Sequence, residues 1–424
     1  MDWVNPAIPI VATNSFGFRY LRHTRTMHTT RQLSGPALAT AMRDSRWLTL
    51  ARVNDLSAAQ WSPPRQTGVN PVAWELAHLA WFAEFWILRG PHHRDAQGFA
   101  QAQHAFRFVG PDARFDSAQL AHTQRWVEPM PNHAELDGMM RGQLEACIEA
   151  IPHDCARADY QDDLLYFHRL ALFHEDMHGE AFCWLRATLG YPAPTDLALP
   201  SVAARTLLTT PAGELRMGYG AQDLGFAFDN ECPAHTTQLP SFAIDSAPVS
   251  AQDFAGFVNA GGYDNPLYWP KEAGVWRAQS TCGHPQRWRR NARSEWEMRW
   301  FDQWLPLLPN APAMHLNAFE AEAYCLWAGR RLPSAAQWEH AARTHPEFVW
   351  GNSVWEWTAD AFTPYPGFVP GPYQEYSAPW FGGDHRELRG GAFATHARMH
   401  NPRYRNFFQP QRSDVFAGFR TVAL

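Results

Sequence analysis

The sequence predicts an α+β protein: an N-terminal four-helix bundle, then a compact C-terminal domain of short strands and long ordered loops. Three observations predict it. Four helical segments of comparable length precede Gly190. A Pro-rich stretch, Tyr191 to Ser201, then interrupts the chain. Beyond it, Gly, Pro and Trp punctuate short segments and the helical period weakens. A chain of 424 residues with 46% hydrophobic content is long enough for two or three domains and supplies cores for them. The predicted divisions are a loosely ordered leader over 1–30, the bundle over 31–195 and the second domain over 202–424.

Each helix has a local reason. Ser34-Gly35-Pro36 combines a capping hydroxyl with a proline in the first turn, and no breaker follows until Leu56. A second helix is expected from about Pro71 to Arg89, followed by a loop-rich stretch over 90–132. A third, near Ala134 to Ile151, puts Leu136, Met140, Leu144, Cys147 and Ile151 on one stripe. A fourth, near Tyr160 to Leu189, stops at Gly190 with Pro192 beyond it. In the second half only Ala251–Ala260, Ala318–Gly329 and Ser334–Arg343 read as helical. Aromatic residues at 14%, with 20 Trp, suit irregular structure whose volume is filled by rings.

Composition excludes several functions. With 36 basic against 42 acidic residues the net charge is -6, so a general nucleic-acid binder is not expected. Lys271 is the one lysine, which argues against Schiff-base chemistry. Six cysteines contain no C-x-x-C pair, so neither a zinc knot nor a dithiol redox motif is predicted. They read as reduced, mostly buried thiols of a cytoplasmic protein. The most apolar run, Val72 to Leu88, holds Glu75, His78 and Glu84 and is not a membrane span. Asp2, Pro6 and Pro9 stand where a signal peptide needs a basic start and an apolar run.

The sharpest local signal is His174-Glu175-Asp176-Met177-His178-Gly179-Glu180 within the fourth helix. Residues four apart differ by roughly 40° around a helix axis, so both imidazoles face one way and can share an ion. Phe167 and Ala171 precede them on that face, which turns the pair into the bundle. His78, among Leu79, Trp81 and Phe82, is the third candidate ligand from a facing helix. The structural alternative for a lone His such as His78 is a hydrogen-bonded core residue. His168 is rotated off the pair's face. The run also matches H-E-x-x-H, which would make Glu175 the general base of a zinc hydrolase with Glu214 as a downstream acid. Ala181 and Trp184 stand where the extended metzincin pattern needs Gly and His.

Taken with the second half, this pattern resembles the ergothioneine-type sulfoxide synthases, non-haem iron enzymes that join a sulfur donor to the imidazole of a histidine betaine. The resemblance covers about residues 35–424. It is carried by His78, His174-x3-His178-x-Glu180, and an ordered series of C-terminal motifs. These are Arg331-Leu332-Pro333-Ser334 with Trp338-Glu339, Gly351 to Ala359, Pro364 to Phe368, Tyr373 to Ser377, Leu388 to Phe393, Tyr404 to Phe408 and Phe416 to Arg420. It implies a DinB-like bundle and a second domain with the formylglycine-generating-enzyme fold, related to C-type lectins. It implies Fe(II) held by His78, His174 and His178, with O2 as co-substrate and hercynine as the betaine. Asn406 would lie in the betaine pocket, Phe407 and Phe408 would wall it, and Tyr373 or Tyr376 would deliver a proton.

The departures bear on the donor. The family's Asn-Ser-Tyr-Tyr and Arg-Gly-x-Leu-Ser-Arg-Pro stretches, which help hold the thiol, are replaced by Asp112 to Trp126. Phe408 stands where the γ-glutamylcysteine-using enzymes have an acid. The D-S-x4-H-x2-R-W pattern resembles the branch that makes selenoneine from a selenosugar. On that reading Asp116, Ser117, Arg125 and Trp126 wall the donor site and the enzyme forms a C–Se bond. The alternative keeps the scaffold and uses a cysteine-type thiol. Alternatives of another class are a zinc hydrolase and a non-catalytic metal- or ligand-binding protein. Small molecules are the expected partners, not nucleic acid or membrane.

Overall fold

The computed structural model describes residues 30–66, 68–152 and 163–424. The expected leader therefore lies outside the described residues apart from Thr30, as does the expected helix start at Tyr160. The fold is α+β, with the helical and mixed halves in the predicted order.

Four long helices build the first half: α1 Gly35–Ala51, α2 Val72–Leu88, α3 His133–Glu149 and α4 Asp163–Leu189. Ser34 stands at the N-cap of α1 but makes no side-chain cap bond, and Pro36 presets the first turn instead. The helix stops at Ala51 rather than Leu56, and a separate short turn, Ala58–Trp61, follows under its own Ser57–Gln60 capping box. α2 is buried on nearly every face, because it packs against both α3 and α4. α3 starts where Asn132 accepts from the Glu135 N–H and Glu135 accepts in return from the Asn132 N–H. Its predicted stripe, Leu136 to Ile151, is buried throughout. α4 ends at Gly190, whose φ of 70° favours a residue without a Cβ. The stretch over 90–132 carries a hairpin, His92–Arg94 with Ala100–Ala102, that the absence of a clear period had hidden.

The second domain has two four-stranded sheets and shorter ribbons. Its helices are Ala251–Asn259, Glu272–Gln279, Ala318–Trp327 and Ala335–Thr344; the second of these was not predicted. The sheet nearest the bundle has strands β1 Trp355–Ala361, β2 Arg386–Arg389, β3 Asn406–Phe408 and β4 Ala417–Gly418, in spatial order β3-β2-β1-β4. β1 and β2 pair antiparallel, as do β2 and β3, and β4 runs parallel to β1. Gly391 turns the chain after β2 at φ 127°, where a Cβ would lie 2.7 Å from the His400 ring.

Charge holds this domain as much as rings do. Arg420 and Glu356 are both fully buried, with Nη2 donating to Oε1 at 2.7 Å. Arg420 also donates to the Asp245 and Val349 carbonyls, and Trp338 Nε1 donates to Glu356 at 2.9 Å. The two halves meet along α4. Glu180 accepts from Trp355 Nε1 at 2.7 Å and from Thr395 Oγ1 at 2.5 Å. Asp176 pairs with Arg398 at 2.9 Å, and Arg31 pairs with Glu231 at 2.6 Å.

Among the described residues five cysteines are free and no helix is long and apolar enough to cross a membrane. Arg420→Met strands the Glu356 carboxylate in the core. The expected loss is about 3–5 kcal/mol, read from the midpoint of urea unfolding. The double variant Arg420→Met/Glu356→Gln should recover part of it.

Candidate metal centre and adjoining cleft

α2 and α4 bring three imidazoles together. The ring centroids of His78 lie 5.2 Å from those of His174 and His178, which are 4.6 Å from each other. One nitrogen of each ring lies within 4.8 Å of the others. The pair on α4 converges because its members are one helical turn apart. His78 joins them because α2 packs along α4.

The outer bonds of these rings decide which nitrogen is free. His78 Nδ1 lies 2.7 Å from the Phe115 carbonyl. A carbonyl only accepts, so Nδ1 carries the proton and Nε2 keeps its lone pair. His178 Nδ1 lies 2.7 Å from Glu75 Oε1, with the same consequence. His174 is held by its face: Phe82 stacks on it at 3.7 Å with 8° between the planes. Burial first, and then His178, hold the His78 and His174 imidazoles well below the usual histidine range, so both are neutral at pH 7. Three converging imidazole nitrogens, two with the other ring nitrogen committed, fit a divalent first-row metal such as iron, zinc, copper or nickel.

The neighbouring acids are committed elsewhere. Glu175 bonds Arg46 at 2.5 and 3.2 Å on another face of α4. It is therefore not the general base that H-E-x-x-H suggested. Glu214 lies on an exposed strand and accepts from Gln238 at 2.5 Å. His168 Nε2 donates to the Cys147 carbonyl at 3.0 Å, a core histidine as its rotation implied.

Two cavities lie near the cluster, lined by its neighbours on α4 and by Tyr373 rather than by the three histidines themselves. The smaller, about 180 Å³, is lined by Met177 and Glu180 of α4 and by Trp355, Tyr404, Asn406 and Phe407 of the second domain, among others. The larger, about 810 Å³, is lined by Ser117, Tyr373, Glu375, Trp380, His385 and Arg412, among others. Tyr376, Phe407 and Phe408 wall both. Asn406 reaches the smaller cavity and accepts from the Phe407 N–H at 2.8 Å.

Tyr373 lies edge-on to Phe82 at 4.9 Å and to His174 at 6.3 Å, and it hydrogen-bonds Ser117. Tyr376 stacks on Phe228 and shares a 3.0 Å bond with the Tyr404 hydroxyl. Burial pushes both phenols above the usual tyrosine range, so each holds its proton at neutral pH.

The segment expected to wall the donor site divides. Ser117 and its neighbour Ala118 line the larger cavity. Asp116 does not: its carboxylate accepts from the Ala118 N–H at 2.9 Å and Gln119 Nε2 at 2.7 Å, closing its own turn. Arg125 bonds Asn70 and lies on the Trp74 ring, and Trp126 Nε1 donates to the Pro63 carbonyl. Neither lines either of these two cavities, because the short helical turn His122–Trp126 packs toward the chain ahead of α2. Sequence reasoning missed Glu75. It lies three residues before His78 in an apolar helix, and a buried acid there needs a partner.

Comparison with known proteins follows the same division. Residues 197–354 and 348–423 match the sulfatase-modifying factor enzyme 1-like domain, and residues 41–181 match the DinB superfamily. The hercynine oxygenase of Mycobacterium tuberculosis is 28% identical over 401 residues, covering 83% of this chain and 90% of its own. That of Mycolicibacterium thermoresistibile is 29% identical over 441 positions, covering 90% and 94%. The formylglycine-generating enzyme of Streptomyces coelicolor is 29% identical over 308, covering 54% of this chain and 94% of its own.

The histidine cluster should bind one divalent ion per chain. Metal analysis of His78→Ala, His174→Ala and His178→Ala should find each depleted while the helical circular-dichroism signal persists. Full occupancy in His78→Ala would remove that residue from the set.

Proposed function

Because the chain belongs to the sulfatase-modifying factor enzyme 1-like family and sets a DinB-superfamily bundle before that domain, we propose that it is an O2-dependent hercynine oxygenase using Fe(II). It joins a chalcogen donor to the imidazole of hercynine. The observation that carries this reading is the three-histidine cluster, together with an aromatic-walled cavity shared by both domains and lined by Met177 and Glu180 from the same stretch of α4. The likeness to hercynine oxygenases over most of the chain supports it.

With a thiol donor the balance is simple. A C–H and an S–H bond are lost, a C–S and an S=O bond are gained, and the second oxygen atom leaves as water. Fe(II) on His78, His174 and His178 would supply an open coordination sphere for O2 and a soft anion. The chain's own residues do the rest. The smaller cavity suits the betaine: a quaternary ammonium donates no hydrogen bond and is held by aromatic faces, here those of Trp355, Tyr376, Tyr404, Phe407 and Phe408. Asp176 and Glu180 line the same cavity, with their carboxyl groups already bonded to Arg398, Trp355 and Thr395. Asn406 offers an amide to the polar end. Tyr373 holds its proton and is the one of the two tyrosines with a ring contact to the cluster, at His174, so it is the donor to reduced oxygen.

The donor is proposed to enter through the larger cleft. A cysteine-type thiol, giving a sulfoxide, is the leading reading and follows the hercynine oxygenases. A second reading, a selenosugar giving a C–Se bond toward selenoneine, draws on the charges of that cleft. Glu375 pairs with Arg94, Arg412 with Asp414, and His385 with Asp384, so this wall leaves no unpaired cation for a donor's carboxylates. Ser117 offers a hydroxyl to a neutral donor.

Oxygen uptake and product mass with iron, hercynine and each donor in turn decide between them. Product from thiols alone rejects the selenosugar, and no product from either rejects the oxygenase. Asn406→Ala should weaken hercynine binding by about 1–3 kcal/mol with iron content unchanged. Tyr373→Phe should lower turnover and leave hercynine affinity at the wild-type value. Unchanged turnover would remove Tyr373 from the proton path.

A further inference from the structure

The segment Asp112–Trp126 sends the Phe115 carbonyl and the Arg125 guanidinium toward the outer side of the histidine cluster. Arg125 Nη1 donates to Asn70 Oδ1 at 2.8 Å. Asn70 Nδ2 donates to Glu75 Oε2 at 3.1 Å. Glu75 Oε1 accepts from His178 Nδ1 at 2.7 Å. Three bonds therefore run in file from a guanidinium to an imidazole of the cluster. The same guanidinium lies 4.1 Å from the Trp74 ring centroid, and Trp74 lies parallel to His78 at 5.1 Å. The segment is tied to α2 by Asp112, which accepts from Arg89 and from Trp81 Nε1, and by the Arg114 carbonyl, which accepts from Trp74 Nε1.

We propose that Glu75, Asn70 and Arg125 form a positioning relay that orients His178 and sets its donor strength, so that metal affinity is tuned by residues that never touch the metal. This rests on the three-histidine centre of the preceding reading and not on the identity of the substrate. Glu75 is 2% exposed, and a buried carboxylate persists only where its lone pairs are taken. Accepting the Nδ1 proton, it fixes the His178 tautomer, leaves Nε2 for the metal and makes that nitrogen a stronger donor. Arg125, held through Asn70, balances the carboxylate's charge. The three ligands are thus unequal. His178 is backed by a carboxylate, His78 by a carbonyl, and His174 by the face of Phe82.

Co(II) titration of the metal-free full-length chain, read by affinity and by the visible d–d spectrum, tests the relay. Glu75→Ala should lower affinity roughly 10- to 100-fold and shift the spectrum. Glu75→Gln keeps an acceptor oxygen and should fall between it and wild type. Arg125→Ala should lower affinity by less, and should change nothing further once Glu75 is alanine, because a relay cut at one link is insensitive to the next. Wild-type affinity and spectrum in Glu75→Ala overturn the proposal. So does an Arg125→Ala loss that adds in full on top of Glu75→Ala. If Glu75→Ala does not fold, Asn70→Ala and Glu75→Gln carry the same comparison with Arg125→Ala. His174→Ala, outside the relay, separates the two levels. Wild-type binding in it refutes the metal centre itself, whereas lost binding there with normal binding in the relay variants refutes the relay alone.

Discussion

The rotation of α4 about its own axis governs the junction of the two domains. Successive side chains on a helix turn by roughly 100°, so seven adjacent residues address three different neighbours. His174 and His178 face α2 and complete the three-histidine cluster with His78. Glu175 reaches Arg46 on α1. Asp176 and Glu180 reach Arg398, Trp355 and Thr395 of the second domain. A helix anchored by ion pairs and hydrogen bonds on separate sides cannot roll, and the imidazoles inherit that rigidity. Inserting one residue before His174 would move every one of these partners at once.

The second domain supplies what the bundle lacks. Helices place imidazoles well but leave little room between them, because bundle cores pack densely. The sheet β3-β2-β1-β4 carries Trp355, Asn406, Phe407 and Phe408 to a cavity that α4 also lines. Its rings are fixed from behind by buried charge. Arg405 pairs with Glu387 at 2.7 Å, and Arg389 bonds the same acid at 2.6 Å.

What the sequence revealed follows from how local each signal is. The His174–His178 pair was legible because a four-residue spacing on a helix fixes a common face before any tertiary contact exists. The α+β division was legible because periodicity ends at Pro192 and glycine turns begin. The donor wall was not legible. Arg125 and Trp126 are adjacent in a short helical turn, where no period states which way a side chain faces; Arg125 lies on Trp74 and Trp126 bonds Pro63. Glu75 and Glu84 were visible only as charges that forbid a membrane span. Their partners, His178 on another helix and the N–H groups of Arg107 to Val109, are set by tertiary packing alone. The Ser34 hydroxyl illustrates the same limit at close range: the residue type was right for a cap, and the cap bond did not form.

Arginine carries nearly all the positive charge, and this has a practical side. Guanidinium forks suit the buried pairs just described and stay protonated, while an ammonium would lose charge more readily on burial. The leftover is Lys271, exposed at the start of the short helix Glu272–Gln279. Neither the histidine cluster nor either cavity wall contains an amine. Amine-directed reagents thus meet a single lysine side chain, on the second domain, so a fluorophore or surface linker can be attached there without modifying any residue of the centre.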